Sequence, residues 1–330
     1  MIVNPAVIAL VGGAAMGGAL VAAAAAQGVA VLRGWDLASG SERQLALERR
    51  TYLVTTLLGF ALAFEVASLF LFVYAADAMA PLFTGAMCAA GSLKAGPWGY
   101  PVLILKLVNA VLAGLWLILD RADQLGWDYP LVKVKYAALL LLAPPALAEV
   151  ALQAAYFAGL RPEVITSCCG SLFGEGGAGF GSDLASLPAR PALWGLAAVL
   201  AAALGAQAWF VRTGRGAVAA GALAAAALPV GLVAVVSAVS PYVYELPTHH
   251  CPFCLLQREY GWIGYPLYGA LLLGAVAGAG VALVHPFRGR PSLAEPLPRL
   301  QRRLALASIA GLGAFAAISA WKVASSGLRM

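Results

Sequence analysis

Apolar residues run along this chain in long uninterrupted blocks, and polar residues are confined to the short stretches between them. Eight blocks, at about 6–32, 52–76, 101–119, 137–160, 191–211, 217–240, 262–284 and 304–321, reach the roughly 20 residues that a bilayer crossing requires. Five of the eight contain no charged residue, so they offer no face to water. Lipid cannot satisfy a bare backbone, and the alternating ten-residue segments of a barrel are absent, so the blocks predict helices. Stretches such as LVAAAAAQGVA predict closely packed ones. No Lys or Arg precedes the first block, which reads as an uncleaved helix rather than a signal peptide. The expected fold is all-α: a polytopic membrane protein with eight transmembrane helices.

Composition agrees. The chain is 62% hydrophobic and 11% charged, against about 45–50% and 25% in soluble domains. Its formal charge of +6 then bears mainly on topology, and no basic stripe interleaved with aromatics suggests a nucleic acid as partner. Lys and Arg favour cytoplasmic loops. One set of alternate loops holds fourteen cations: Arg33, Arg43, Arg49, Arg50, Arg121, Lys133, Lys135, Arg212, Arg215, Arg288, Arg290, Arg299, Arg302 and Arg303. The other set, with the termini, holds six: Lys94, Arg161, Arg190, Arg258, Lys322 and Arg329. Both termini are therefore expected outside, with the chain in a cytoplasmic (inner) membrane.

That orientation puts all five cysteines on the extracytoplasmic face, where disulfides form and persist. Cys88 follows the second helix, Cys168 and Cys169 the fourth, and Cys251 and Cys254 the sixth. The last pair lies in THHCPFCLLQREY, residues 248–260. Proline is favoured at the first position of a helix, so Pro252 predicts Cys251 as N-cap of the seventh helix, with Cys254 in its first turn. The helix dipole there stabilises a thiolate, and Arg258 would lie one turn deeper. Other readings stay open. The pair can be a structural disulfide, His249, His250, Cys251 and Cys254 can ligate zinc or copper, and Arg258 can be an interfacial anchor.

The segment CPFCLLQR, residues 251–258, resembles the Cys-x-x-Cys-x-x-x-Arg of the DsbB family of quinone-linked thiol oxidases. The helix order is similar to that of the vitamin K epoxide reductase family, in which an outer two-cysteine loop and two helices precede the Cys-x-x-Cys. The resemblance implies a membrane thiol–disulfide oxidoreductase over a four-helix core at 137–284, preceded by helices at 1–136 and followed by a basic inner loop and helix at 285–330. It implies that Cys251 and Cys254 face a quinone, with Arg258 beside a quinone carbonyl; His249 and His250 adjoin the same site. One of Cys168 and Cys169 would meet an extracytoplasmic thioredoxin-like or other thiol protein. The chain departs from both families in its adjacent loop cysteines, its additional helices and its additional Cys88. A vicinal bridge is strained and easily reduced, so Cys88 is expected to pair with one of Cys168 and Cys169.

The loop at 161–190, rich in Gly and Ser, is long enough to suggest a functional arm around its cysteines. Three ionisable residues fall within spans: Glu65, Lys106 and Glu149. With Asn109 and Gln153 they form either a proton relay or a packing ion pair, and the packing role is the favoured expectation. None of the three histidines lies in a span and no Cys-x-x-Cys-His occurs, so haem is not expected. Walker loops, dinucleotide-binding glycine motifs and a Ser/His/Asp set are also absent. Two rivals to the redox reading remain. One is a copper or heavy-metal binding or transport protein, and the other is a disulfide-stapled structural subunit of a larger membrane complex.

Overall fold

A computed structural model describes residues 5–36, 39–161, 163–166 and 180–329, with the side chains of 180–182 excepted. The described residues form helices and no strands. Among the described residues eight helices are long and apolar enough to cross a membrane: α1 (Pro5–Gly34), α2 (Glu42–Ala78), α3 (Gly99–Asp123), α4 (Val132–Gly159), α5 (Ala189–Thr213), α6 (Ala217–Ala234, continuing to Tyr244), α7 (Gly264–Val284) and α8 (Pro296–Ser325). This is a multi-pass membrane protein. Helices α2 and α8 start about two to three turns before the apolar blocks at 52 and 304. Their first turns carry the charges of Glu42–Arg50 and Arg299–Arg303, which hydropathy alone cannot count as part of a span.

The chain forms two compact units. One gathers the residues up to Phe72, Gly96–Leu160 and Pro286–Leu300, so it holds α1, most of α2, α3 and α4. Here α1 lies along α4, and α4 along α3. Small residues allow that approach: a Cβ at Gly18 would stand 3.0 Å from Val150, and one at Gly28 would stand 3.0 Å from Tyr136. Val21, Leu58, Leu62, Trp116, Tyr136 and Leu139 fill the core between them.

The other unit gathers Val73–Ala95, Arg161–His285 and the chain from Gln301 onward. In it α6 packs against both α5 and α7. The contacts are again between small residues, since a Cβ on Gly221 would meet Ala282 at 2.3 Å and one on Gly278 would meet Ala224 at 2.3 Å. Buried polar side chains bond the main chain of neighbouring helices, as in Ser308 Oγ to Gly274 O (2.7 Å) and Gln301 Nε2 to Val281 O (2.7 Å). Near its C-terminal end α6 widens into a π-turn over Val235–Val239, a distortion that often accompanies functional sites.

Candidate functional site: a buried three-cysteine cluster

The loop between α6 and α7 carries the Cys-x-x-Cys, and both of its ends are left-handed. Glu245 (φ 56°) stops the helical run after Tyr244, and Gly261 (φ 68°) and Trp262 (φ 58°) precede α7. A non-glycine residue in that region costs on the order of 1–3 kcal/mol and is held by its surroundings. These residues also explain a correction. Cys251 does not cap α7, which begins at Gly264, and Cys254 lies in a separate 3₁₀ turn, Cys254–Leu256. A second 3₁₀ turn, Arg258–Tyr260, follows an extended Gln257 (φ −84°, ψ 158°). Arg258 is exposed there, so it is not one helical turn below Cys254.

The loop is pinned by hydroxyl groups from the flanking helices. Tyr244 donates to Cys251 O (2.5 Å) and Tyr268 to Pro252 O (2.8 Å). His250 is buried, and its Nδ1 pairs with Val236 O in the π-turn at 3.0 Å. The wider turn presents a carbonyl that a regular α-turn would keep within the helix. His249 stacks edge-on against Tyr244 (4.4 Å between centroids), and its Nε2 is buried without a hydrogen-bond partner. Burial lowers the pKa of His249 below the ordinary imidazole value, while a negative charge on Cys88 acts in the opposite sense.

Cys88 arrives from the loop after α2. It is extended (φ −156°, ψ −178°) and caps a short helix, Ala89–Lys94, with Gly91 N donating to its carbonyl at 3.0 Å. Its Sγ lies 3.6 Å from Cys251 Sγ, a contact well beyond the roughly 2.05 Å of a disulfide bond. The sulfurs of Cys88, Cys251 and Cys254 all lie within 4.8 Å of one another. The three residues are only 0%, 0% and 5% exposed, so a soluble partner does not reach the sulfurs directly. The sequence pointed to Cys168 and Cys169 as partners of Cys88, and both lie outside the described residues.

A polar clamp joins the two loops. Asp77, at the end of α2, accepts from Ala89 N (3.1 Å) and from Gln257 Nε2 (3.0 Å). The same Gln257 amide donates to Met87 O at 3.0 Å. One carboxylate and one amide thereby fix the residues on both sides of Cys88 to the segment just after Cys254. A backbone bond, Thr166 N to Thr84 O (2.9 Å), ties down the chain from the other side. Gly85 sits at that crossing with φ +86°, and a Cβ there would lie 2.3 Å from Thr166 O. Sequence reasoning missed Asp77 and Gln257. The available signal was a carboxylate closing an otherwise apolar span and the Gln inside CPFCLLQR.

The intramembrane residues Glu65, Lys106 and Glu149 do converge, within the α1–α4 unit. Lys106 Nζ lies 2.6 Å from Glu149 Oε1, 2.8 Å from Ser68 Oγ and 3.9 Å from Glu65 Oε1. Asn109 joins this cluster by donating to Glu149 Oε2 at 2.7 Å. Gln153 instead bonds Leu10 O at 2.9 Å. A second buried set joins Lys135 to Asp120 (2.8 Å) and Asp123 (2.7 Å), so Lys135 lies in the first turns of α4 and not in the loop that its charge suggests.

Compared with known proteins, the chain matches no family model, no curated protein and no solved structure.

Proposed function

We propose that the protein is a membrane thiol–disulfide oxidoreductase, passing electrons between an extracytoplasmic thiol protein and a membrane quinone. The observation that carries this reading is the 3.6 Å contact between Cys88 Sγ and Cys251 Sγ, made beside Cys254. Three thiols in mutual contact are the minimum set that stores one disulfide and keeps one nucleophile. A Cys88 thiolate attacks the Cys251–Cys254 disulfide at Cys251; a Cys88–Cys251 bond forms and Cys254 leaves as thiolate. In the quinone step the Cys251 and Cys254 thiols give up two electrons and two protons, leaving a disulfide and a hydroquinone. The thiol protein reduces that disulfide and is itself oxidised.

The asymmetry of cations in the loops supports an orientation with both termini and all the cysteine loops on the extracytoplasmic side. The burial of the three sulfurs leaves partner exchange to Cys168 or Cys169, on the arm that follows Thr166. For the quinone, the α5–α7 unit has an apolar cleft of about 310 Å3, lined by residues such as Leu187, Pro191, Pro229 and Val233. That volume is at the small end of ligand sites. Two residues past its Ala234 edge, Val236 O meets His250, next to Cys251. Arg258, exposed at the membrane edge, would contact the quinone headgroup only from outside the thiol pocket.

A second reading has its own observation. Thiolates bound to one zinc or copper at about 2.3 Å stand roughly 3.8 Å apart, close to the Cys88–Cys251 distance. The three sulfurs alone form this ligand group; His249 lies in the same loop, with its Nε2 buried and without a partner. One experiment separates the two readings: a thiol-trapping redox titration of the purified protein, with and without quinone, and metal analysis of the same sample. The oxidoreductase reading expects Cys251 and Cys254 to equilibrate with a dithiol buffer and to be reoxidised by quinone. Protected thiols with about one metal ion per chain would establish the metal site instead.

A further inference from the structure

The charge cluster of the α1–α4 unit does not balance. Glu149, 1% exposed, has both oxygens occupied: Lys106 holds one and Asn109 the other. Lys106, 0% exposed, spends its remaining reach on Ser68 and stays 3.9 Å from Glu65. Glu65 faces the same ammonium from the other side, and its Oε1 is buried without a hydrogen-bond partner. Two carboxylates facing one ammonium leave a net charge of −1. Among the described residues no other ionisable group is paired with them: α2 adds Ser68, α3 adds Asn109, and α1 lines the adjoining cavity with the apolar residues Ala14, Gly17, Gly18 and Val21. An uncompensated charge in such a place is costly, and two carboxyls sharing one buried cation do not readily both ionise.

A small cavity of about 20 Å3 adjoins the cluster, with Glu65 and Asn109 in its lining. That is room for a single water. Asn109 Oδ1, on a residue 1% exposed, is buried there without a donor. One proton on Glu65 cancels the excess charge and turns its unpaired oxygen into a donor. A metal cation would have to sit beside the Lys106 ammonium, so the charge pattern favours a proton over sodium.

We propose that α1–α4 form a proton-binding site in which Glu65 and Glu149 share one exchangeable proton, with Asn109 and the adjoining cavity completing its shell. Exchange proceeds through Glu65, whose side chain keeps 17% of its surface exposed. This inference stands on α1–α4 alone and does not depend on the thiol chemistry.

The test is infrared spectroscopy of the full chain in nanodiscs through a pH titration, compared with Glu65→Gln. The expected result is a protonated-carboxyl C=O band that persists at neutral pH, shifts in heavy water and disappears on alkaline titration. Glu65→Gln should remove it without lowering the thermal midpoint, because an amide mimics the neutral acid. A wild-type protein with no such band at neutral pH overturns the proposal, whether or not the variant folds. A band that survives unchanged in folded Glu65→Gln also overturns it. So does a band that sodium ions abolish at constant pH, which would assign the site to a cation.

Discussion

The thiol cluster and the charge cluster are both buried, but they are assembled by opposite routes. The charge cluster is built from helix faces. Glu65 and Ser68 are three residues apart on α2, and Lys106 and Asn109 are three apart on α3. Helical spacing puts each pair on one side, and a neighbouring span supplies Glu149. The thiol cluster is built from loops more than 160 residues apart in sequence, with no helical period to align them. Asp77, Gln257, Tyr244 and Tyr268 supply the alignment through hydrogen bonds to main-chain groups. A site on rigid helix faces tolerates neighbouring substitutions; a site made of loops depends on the residues that pin them.

The largest effects should come from the sulfurs. Cys88→Ser, Cys251→Ser and Cys254→Ser should each reduce quinone-coupled thiol oxidation by at least about 100-fold, because groups acting as a unit fail together. An assay with a reduced model dithiol checks this. If Cys88→Ser retains full turnover, the third thiol is not part of the exchange set. Next in size, Lys106→Met leaves the carboxyl pair without its cation and should destabilise the α1–α4 unit by about 3–5 kcal/mol. Thermal unfolding in detergent would show it, and an unchanged midpoint would mean that the cluster is not held by the lysine.

Asp77→Ala removes a carboxylate that accepts two hydrogen bonds, each worth about 1.5–3 kcal/mol when one partner is charged. The expected consequence is local: faster alkylation of Cys88, with little change in global unfolding. Gly85→Ala should have a smaller effect of the same kind, about 1–3 kcal/mol of strain, since its Cβ would meet the Thr166 carbonyl. If alkylation of Cys88 is as slow in both variants as in the wild type, the clamp is not what seats the sulfur. These two substitutions sharpen the contrast with the charge cluster, because neither touches a reacting atom.

Much of this was legible in the sequence. The eight spans are visible because hydropathy in lipid is a nearly one-dimensional signal, and the described residues include eight helices of that kind. The Cys-x-x-Cys and the three ionisable spanning residues were visible for the same reason: each is rare in its setting. The start of α7 was misread. Pro252 after Cys251 is a fair N-terminal signal, but Gly261 and Trp262 adopt left-handed backbone that no helix can contain, and φ is not written in composition. The placement of Cys88 against Cys251 was equally hidden, because it depends on a carboxylate and an amide meeting across loops. Lys135, whose positive charge suggested a loop, is buried between Asp120 and Asp123; a charge alone cannot tell solvent from a buried partner.

The most direct test of the central claim is disulfide mapping after partial oxidation of the reduced, metal-free protein with one equivalent of quinone. If the three sulfurs are one exchange unit, peptide mass spectrometry will recover both a Cys251–Cys254 and a Cys88–Cys251 bridge, in a ratio that shifts with the poise of an added dithiol buffer. If quinone leaves Cys88, Cys251 and Cys254 fully alkylatable, or if Cys88 is never found bridged to Cys251, the cluster does not work as a thiol–disulfide relay and the account is wrong.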